Sequence, residues 1–367
     1  MRRVMTVMMG LCLAAGAAQG QEWYETMKFK GDVRFRHERI DDSSADDVRD
    51  RERVRARLSA DARLNPQVNA VIGVTTTEGG DPISGNQTLT GGGTKKDLYL
   101  DLGYIDFHPE AVKGLSVWAG KTKNPYVSVA DLVWDGDYTP EGGAVKYHAG
   151  EDLELLLNGG AFWLRENKAG DDVMQYGGQA ALNVKASDLV QLMVGSSYYG
   201  TENLEGAQVL DYQNSNSSYG NSTENSVAGT ATNKIYTMEY TVVEPFAQLT
   251  LNTKIPVKLY GQYAVNTEAD DDDTGYLAGL TIGQAKDPKT FEFTYNYRDL
   301  EKDAVLGAFT DSDHAGGGTD NRGHKFQVKY QFLKNWQGAV TYFLDEKKVS
   351  SDPIDYNRLQ VDLVASF

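Results

Sequence analysis

Four arginines at every second position, Arg51, Arg53, Arg55 and Arg57, alternate with an apolar row through Val54, Ala56, Leu58, Ala60, Ala62 and Leu64. Arg34 and Arg36 repeat the rhythm in the segment 28–38. Guanidinium groups in a row can do electrostatic chemistry: they hold anions, orient dipolar solutes or pair with carboxylates. On a strand every second side chain shares a face, so neighbours in the row stand about 6.7 Å apart, two strand rises. A helix would scatter both rows around its circumference. Repulsion at that distance is about 0.6 kcal/mol per neighbour in water and several-fold more in a lower dielectric. Such a row needs water, counter-anions or facing carboxylates. The stretch 123–141 offers carboxylates in Asp131, Asp135, Asp137 and Glu141. The candidate site is therefore a constriction, with Arg34, Arg36, Arg53, Arg55 and Arg57 as its basic wall and these four acids on a loop folded against it. Opposed rows of this kind set up a transverse field that orients dipoles and strips hydration from ions.

The elements that position these residues are strands with two unlike faces. Lipid on one side and a water-filled lumen on the other accommodates both rows, which is the signature of a transmembrane β-barrel. Slipping the register by one residue would place the arginines in lipid, at about 2–4 kcal/mol each near the midplane. Sixteen alternating segments run from 28–38 to 356–367, most of a length that suits a tilted strand crossing the bilayer. The expected fold is all-β: a transmembrane antiparallel barrel of about 16 strands, with short periplasmic turns, long extracellular loops and the third loop folded into the lumen. The stretch 201–243, rich in Asn, Ser, Gly and Tyr, raises the number to 18 if it folds back into the wall as a hairpin. No segment after residue 20 is a long apolar run, so no membrane helix is expected. Tyr104, Trp118, Trp163, Tyr198, Tyr199, Tyr263, Tyr276, Trp336 and Tyr342 lie near strand ends, where an interfacial girdle would place them.

The N-terminus reads as an export signal. Arg2 and Arg3 precede an apolar stretch too short to span a bilayer, and Ala18-Gln19-Gly20 supplies small residues for cleavage before Gln21. The expected organisation is a signal peptide, 1–20, and one barrel domain, 21–367. Cys12 is the only cysteine and falls in the signal, so the mature chain has no disulfide. A formal net charge of −16 leaves no basic footprint for nucleic acid. His37, His108, His148, His314 and His324 are dispersed without metal-ligand spacing, and no G-x-S-x-G, phosphate loop or H-E-x-x-H occurs. No cofactor is expected. The runs Asp270–Asp273 and Asp311–Asp313 could take divalent cations, and bridge through them to lipopolysaccharide, but match no Ca²⁺-loop spacing; solvated extracellular loop tips are the simpler reading.

The run GKTKNPYVSVADLVWDGDYTPEGGAVKY, residues 120–147, resembles the Asn-Pro-aromatic, Trp-Asp-x-Asp and Pro-Glu-Gly sequence of a bacterial putative-porin family. Residues 295–330 resemble a later strand and loop of the same family, and the resemblance extends over the mature chain. Phe367, after alternating apolar residues, is similar to the terminal signal read by the barrel assembly machinery. The resemblance implies an outer-membrane channel for passive diffusion of small hydrophilic solutes and ions. It also implies contact with outer-membrane lipid and lipopolysaccharide, and assembly as a homotrimer. Competing readings are a substrate-selective channel for anions or sugar phosphates, a barrel hydrolase, and a soluble secreted β-sandwich lectin or adhesin. No Ser–His pairing favours the hydrolase, and sixteen alternating segments ending in an apolar-row Phe disfavour the lectin.

Overall fold

Period-two alternation carries the chain through sixteen strands of a computed structural model that describes residues 26–212, 216–228 and 231–367. The first eight strands are β1 (Lys28–Asp42), β2 (Arg49–Asn65), β3 (Val68–Thr76), β4 (Leu98–Phe107), β5 (Leu115–Lys121), β6 (Glu141–Ala149), β7 (Leu153–Arg165) and β8 (Val173–Lys185). The second eight are β9 (Val190–Glu202), β10 (Thr241–Leu251), β11 (Val257–Asn266), β12 (Thr274–Gly283), β13 (Phe291–Leu300), β14 (Asn321–Leu333), β15 (Trp336–Lys347) and β16 (Ile354–Ser366). Each strand pairs antiparallel with the next, and β16 pairs back onto β1, with Arg36 opposite Asp362 and Phe35 opposite Leu363. Closure removes every sheet edge, so no backbone donor of the wall is left facing lipid. Among the described residues no helix is long and apolar enough to cross a membrane. The expected signal peptide lies outside the described residues.

The outer surface is apolar because one alternate row is. Phe29, Val33 and Phe35 on β1, Val328 and Phe332 on β14, and Val361 and Leu363 on β16 are all exposed. Their neighbours in sequence point inward: Arg36, Glu38, Gln360 and Asp362 are buried. Of the expected girdle, Trp163, Tyr198, Tyr263, Tyr276, Trp336 and Tyr342 are exposed, but Tyr104 and Tyr199 are buried. Tyr104 stands opposite Val71 on the inward row and packs on Trp118 at 5.3 Å, and Tyr199 donates to Glu244 at 2.9 Å. Parity along the strand, not position near its end, decides which way a ring points.

Among the described residues, the stretch 201–243 adds no wall strand. Thr223–Ala228 and Ala231–Tyr236 form a separate two-stranded sheet, while β9 pairs directly with β10. The strand number is sixteen. This fifth of the long loops, of which the second is 78–95, the third 123–141 and the seventh 302–321, instead joins the third and seventh in an apolar cluster, where Trp134, Tyr138, Leu204, Tyr236, Val305 and Phe309 are buried together.

The seam between the chain ends is tight. Phe367 and Gly31 exchange two backbone hydrogen bonds, at 2.9 and 3.0 Å. A Cβ built on Gly31 would stand 2.5 Å from both the Phe367 ring and the Arg57 carbonyl oxygen. Gly31→Val is therefore expected to destabilise the seam by about 1–3 kcal/mol, the usual range for overpacking. The check is heat-modifiable migration on SDS gels: the folded form should be lost at lower temperature than in the wild type, and an unchanged transition would remove the seam's importance.

Candidate functional site

Adjacent strands β16, β1 and β2 place their inward rows side by side. Register sets Asp32 opposite Arg57, Arg34 opposite Arg55, Arg36 opposite Arg53 and Glu38 opposite Arg51. On the other flank of β1, Arg36 faces Asp362 and Glu38 faces Gln360. Like charges thus stand directly opposite at two positions, which would be destabilising without counter-charges. Part of the neutralisation comes from the wall itself. Asp362 accepts from Arg36 Nε at 2.7 Å and Nη2 at 2.8 Å, a bidentate pair. Glu38, fully buried, accepts from Arg51 at 2.6 Å and Arg358 at 2.8 Å.

The rest comes from three loops. Asp137 of the third loop accepts from Arg57 Nη1 at 2.8 Å and Arg55 Nη1 at 3.3 Å, and Asp32 bridges the same two arginines from the wall at 2.7 and 2.9 Å. Two cations and two carboxylates close a ring. Asn86 of the second loop accepts from Arg34 Nη2 at 2.7 Å through its side chain and from Arg53 Nη2 at 3.2 Å through its carbonyl. Asp313 of the seventh loop stands 3.3 Å from both Arg36 and Arg358. Burial alone would push the Asp313 carboxyl up, but Arg36, Arg358 and Arg34 hold it well below the usual carboxylate range.

The third loop lies inside because the wall grips it. Gln179 of β8 accepts from the Val127 N–H and donates to its carbonyl, both at 2.8 Å, and Gln262 of β11 donates to Ser128 Oγ at 2.9 Å. Tyr126 sits over Gly177, where a Cβ would stand 2.0 Å from its hydroxyl oxygen. Beyond the grip, Trp134 stacks on Tyr138 at 5.4 Å, and Tyr138 meets Phe309 of the seventh loop at 4.5 Å. Asp135 ties the two loops: its N–H donates to the Phe309 carbonyl at 2.8 Å and its carboxylate accepts from the Ser312 N–H at 2.9 Å.

Of the four acids expected opposite the arginines, only Asp137 meets them. Asp135 faces the seventh loop; burial, then Asp311 and Asp137, push its carboxyl well up. Asp131 is turned toward β13 and β14, where burial raises its carboxyl against the pull of Lys325 and Arg298. Glu141 opens β6 and pairs with Lys121 at 3.1 Å. Asp311–Asp313 is no solvated tip: Asp311 is buried and Asp313 is committed to arginines, which the cross-loop contacts make favourable. Among the described residues no group of three or more His, Cys, Asp or Glu could hold a metal ion. Of the further partners, Asp32, Arg358 and Asp362 share the inward parity of β1 and β16, which alternation along the strand makes readable. Asp313 carried no such signal.

Two cavities adjoin at this cluster. One, of about 480 Å³, is lined by residues 80–82 and 210–212 of loops at the long-loop end. The other, of about 640 Å³, is lined by Lys30–Asp32 at the start of β1 and by Ser366 and Phe367 at the end of β16. Both are lined by Arg57, Asp101, Asp137, Tyr138 and Thr139. Arg57 and Asp137 thus stand where the two cavities adjoin.

A family model described as putative porin matches residues 41–234 and 235–367. Comparison with curated proteins gave no match. Among solved structures, OprB of Pseudomonas putida superposes with a TM-score of 0.63 at 13% identity, covering 94% of this chain and 95% of that one. The outer membrane channel DcaP of Acinetobacter baumannii gives 0.54 at 11% identity, over 93% and 97% of the two chains. The trimer form of OmpT, an outer membrane protein of Vibrio cholerae, gives 0.50 at 13% identity, over 93% and 99%. At these identities the likeness establishes the fold.

Removing the seventh loop's anchor should free that loop before it harms the wall. Asp313 keeps 23% of its side chain exposed, so Asp313→Ala is expected to cost roughly 2–3 kcal/mol, below the range for a fully buried pair. Limited proteolysis of the folded, membrane-embedded protein should then cut within 301–320, with the heat-modified gel shift retained. Continued resistance of that loop would show that the Asp313 pairs do not hold it.

Proposed function

Because the chain belongs to the putative-porin family of outer-membrane barrels, channels for passive diffusion of small solutes, we propose that the junction of Arg57 and Asp137 is its pore constriction. The observation that carries this is the sharing of Arg57, Asp101 and Asp137 by the two cavities that open toward opposite ends of the barrel. Arg57 comes from the wall and Asp137 from the inward loop, so both margins of the throat carry charge.

The proposal differs from an eyelet with a wide gap between opposed rows. Arg55 and Arg57 touch Asp137 directly, so their charges cancel at short range instead of setting up a field across open water. Solutes pass beside an ion-paired cluster, and size and surface charge there govern passage. The reading gives the barrel a transport role and no catalytic one. The trimer form of OmpT supports placing this barrel in a homotrimer as well.

The test is single-channel recording of the purified full chain in planar bilayers. Arg57→Glu puts a carboxylate beside Asp32 and Asp137, breaking the ring and freeing the third loop's acidic segment to move. Conductance is expected to change by about twofold or more, with current noise from the loop; charge at a constriction is what a permeating ion feels most. Conductance equal to the wild type in a folded variant would place the constriction elsewhere.

A further inference from the structure

The arginine row that dominates the sequence is largely absent from the surfaces the solute meets. Arg36, Arg53, Arg55 and Arg358 are buried, at 4, 7, 8 and 3% exposure. Neither cavity is lined by any of them, nor by Arg34. Asn86, Asp137 and Asp313 lie over them, so the second, third and seventh loops cover the row. Arg57 alone of the row reaches the passage, and it is ion-paired to Asp32 at 2.7 Å and Asp137 at 2.8 Å.

The groups left facing the passage have the opposite balance. In the outer cavity, Arg57, Lys121 and Arg165 stand among five carboxylates: Asp81, Asp101, Asp137, Glu141 and Asp211. At the junction, one cation, Arg57, faces Asp101 and Asp137. Asp101 accepts from Thr139 Oγ1 at 3.2 Å and, among the described residues, forms no salt bridge. In the inner cavity, Lys30, Arg57 and Lys123 stand among Asp32, Asp101, Asp131, Asp135 and Asp137. Among the described residues, neither of the two cavities is net positive. A narrow, low-dielectric passage magnifies a small surplus of one sign.

We infer that the channel prefers cations, with the acids that line the two cavities, Asp101 at their junction foremost, setting the preference and the arginine row serving to dock the loops. The inference rests on the constriction reading above, because Asp101 selects only if ions must pass it. It names the solute class as small hydrated cations and cationic organic molecules, and it removes anions and sugar phosphates from the favoured cargo.

The test is the reversal potential of the full chain in a bilayer under a tenfold KCl gradient, for the wild type and for Asp101→Asn, Asp137→Asn and the double variant. Asn keeps the size and hydrogen bonding of Asp, and heat-modifiable migration confirms that each barrel is folded. The wild type is expected to show a reversal potential of cation sign. The double variant is expected to lower the K⁺ to Cl⁻ permeability ratio by about twofold or more. A wild type selective for Cl⁻ overturns the inference, as does a cation preference that survives unchanged in the double variant. In either case a conductance change in Asp137→Asn keeps the constriction reading alive. If conductance too is unchanged, that reading falls with it.

Discussion

Neutralising a row of arginines on the inside of a closed wall is the constraint from which the rest of this structure follows. Barrel closure fixes the parity of β1, β2 and β16, and parity sends their charged rows inward. Register then sets Arg34 against Arg55 and Arg36 against Arg53. Wall carboxylates answer part of this charge, through Asp32, Glu38 and Asp362. The remainder must be met from the space in front of the wall, and only chain that re-enters the lumen can supply it. Asp137 and Asp313 do so from loops far apart in sequence, and Asn86 adds a neutral acceptor. Loop entry is thus driven from two sides: ion pairs at the wall and an apolar cluster where Trp134, Tyr138 and Phe309 meet.

The wall was legible in the sequence almost strand for strand, because lipid enforces a period of two and short turns punctuate it. All sixteen expected segments correspond to observed strands, and the inward rows of β1 and β16 were visible as Asp32, Arg34, Arg36 and as Arg358, Gln360, Asp362. Loop placement was legible only in part. Asp137 was found because a run of acids follows a short strand and an arginine row demands partners. Its neighbours misled for the same reason: composition marks Asp131, Asp135 and Glu141 as equivalent, while the loop's turns aim each one differently. Asp137 donates its own N–H to Asp135 at 2.7 Å, and that local turn points the two carboxylates apart. Asp313 was read as a solvated tip, since nothing local distinguishes an acid at a loop apex from one that reaches Arg36, 277 residues away. Long-range ion pairs leave no periodic trace.

Covering the arginines also changes what the charge of this chain means. A reading from residue types alone makes six or seven guanidinium groups into an anion path. Once burial is known, the same groups act as fasteners, and the passage takes its character from the acids that remain in front of them. Arg36, Arg51, Arg55, Arg57 and Arg358 each have a carboxylate within 3 Å, and such pairs contribute little field beyond a few ångströms, while Arg34 and Arg53 are held by the neutral Asn86. Asp101, which forms no salt bridge among the described residues, has no such partner.

The same fastening makes the throat rigid. Asp137 is held by two arginines, its loop is gripped at Val127 and Ser128 by the wall, and Asp135 joins it to the seventh loop. A loop held at that many separated points cannot swing as a unit, because each contact would have to break together with its neighbours. Opening the passage further would expose Arg55 and Arg57 to repulsion from Arg34 and Arg53 as well as undoing the ring with Asp32. Width at the junction is therefore set by the register of β1 and β2, which fixes where Arg57 stands, and by the turn at Asp135, which fixes where Asp137 reaches. A constriction of the kind proposed, defined by wall register, needs no moving part.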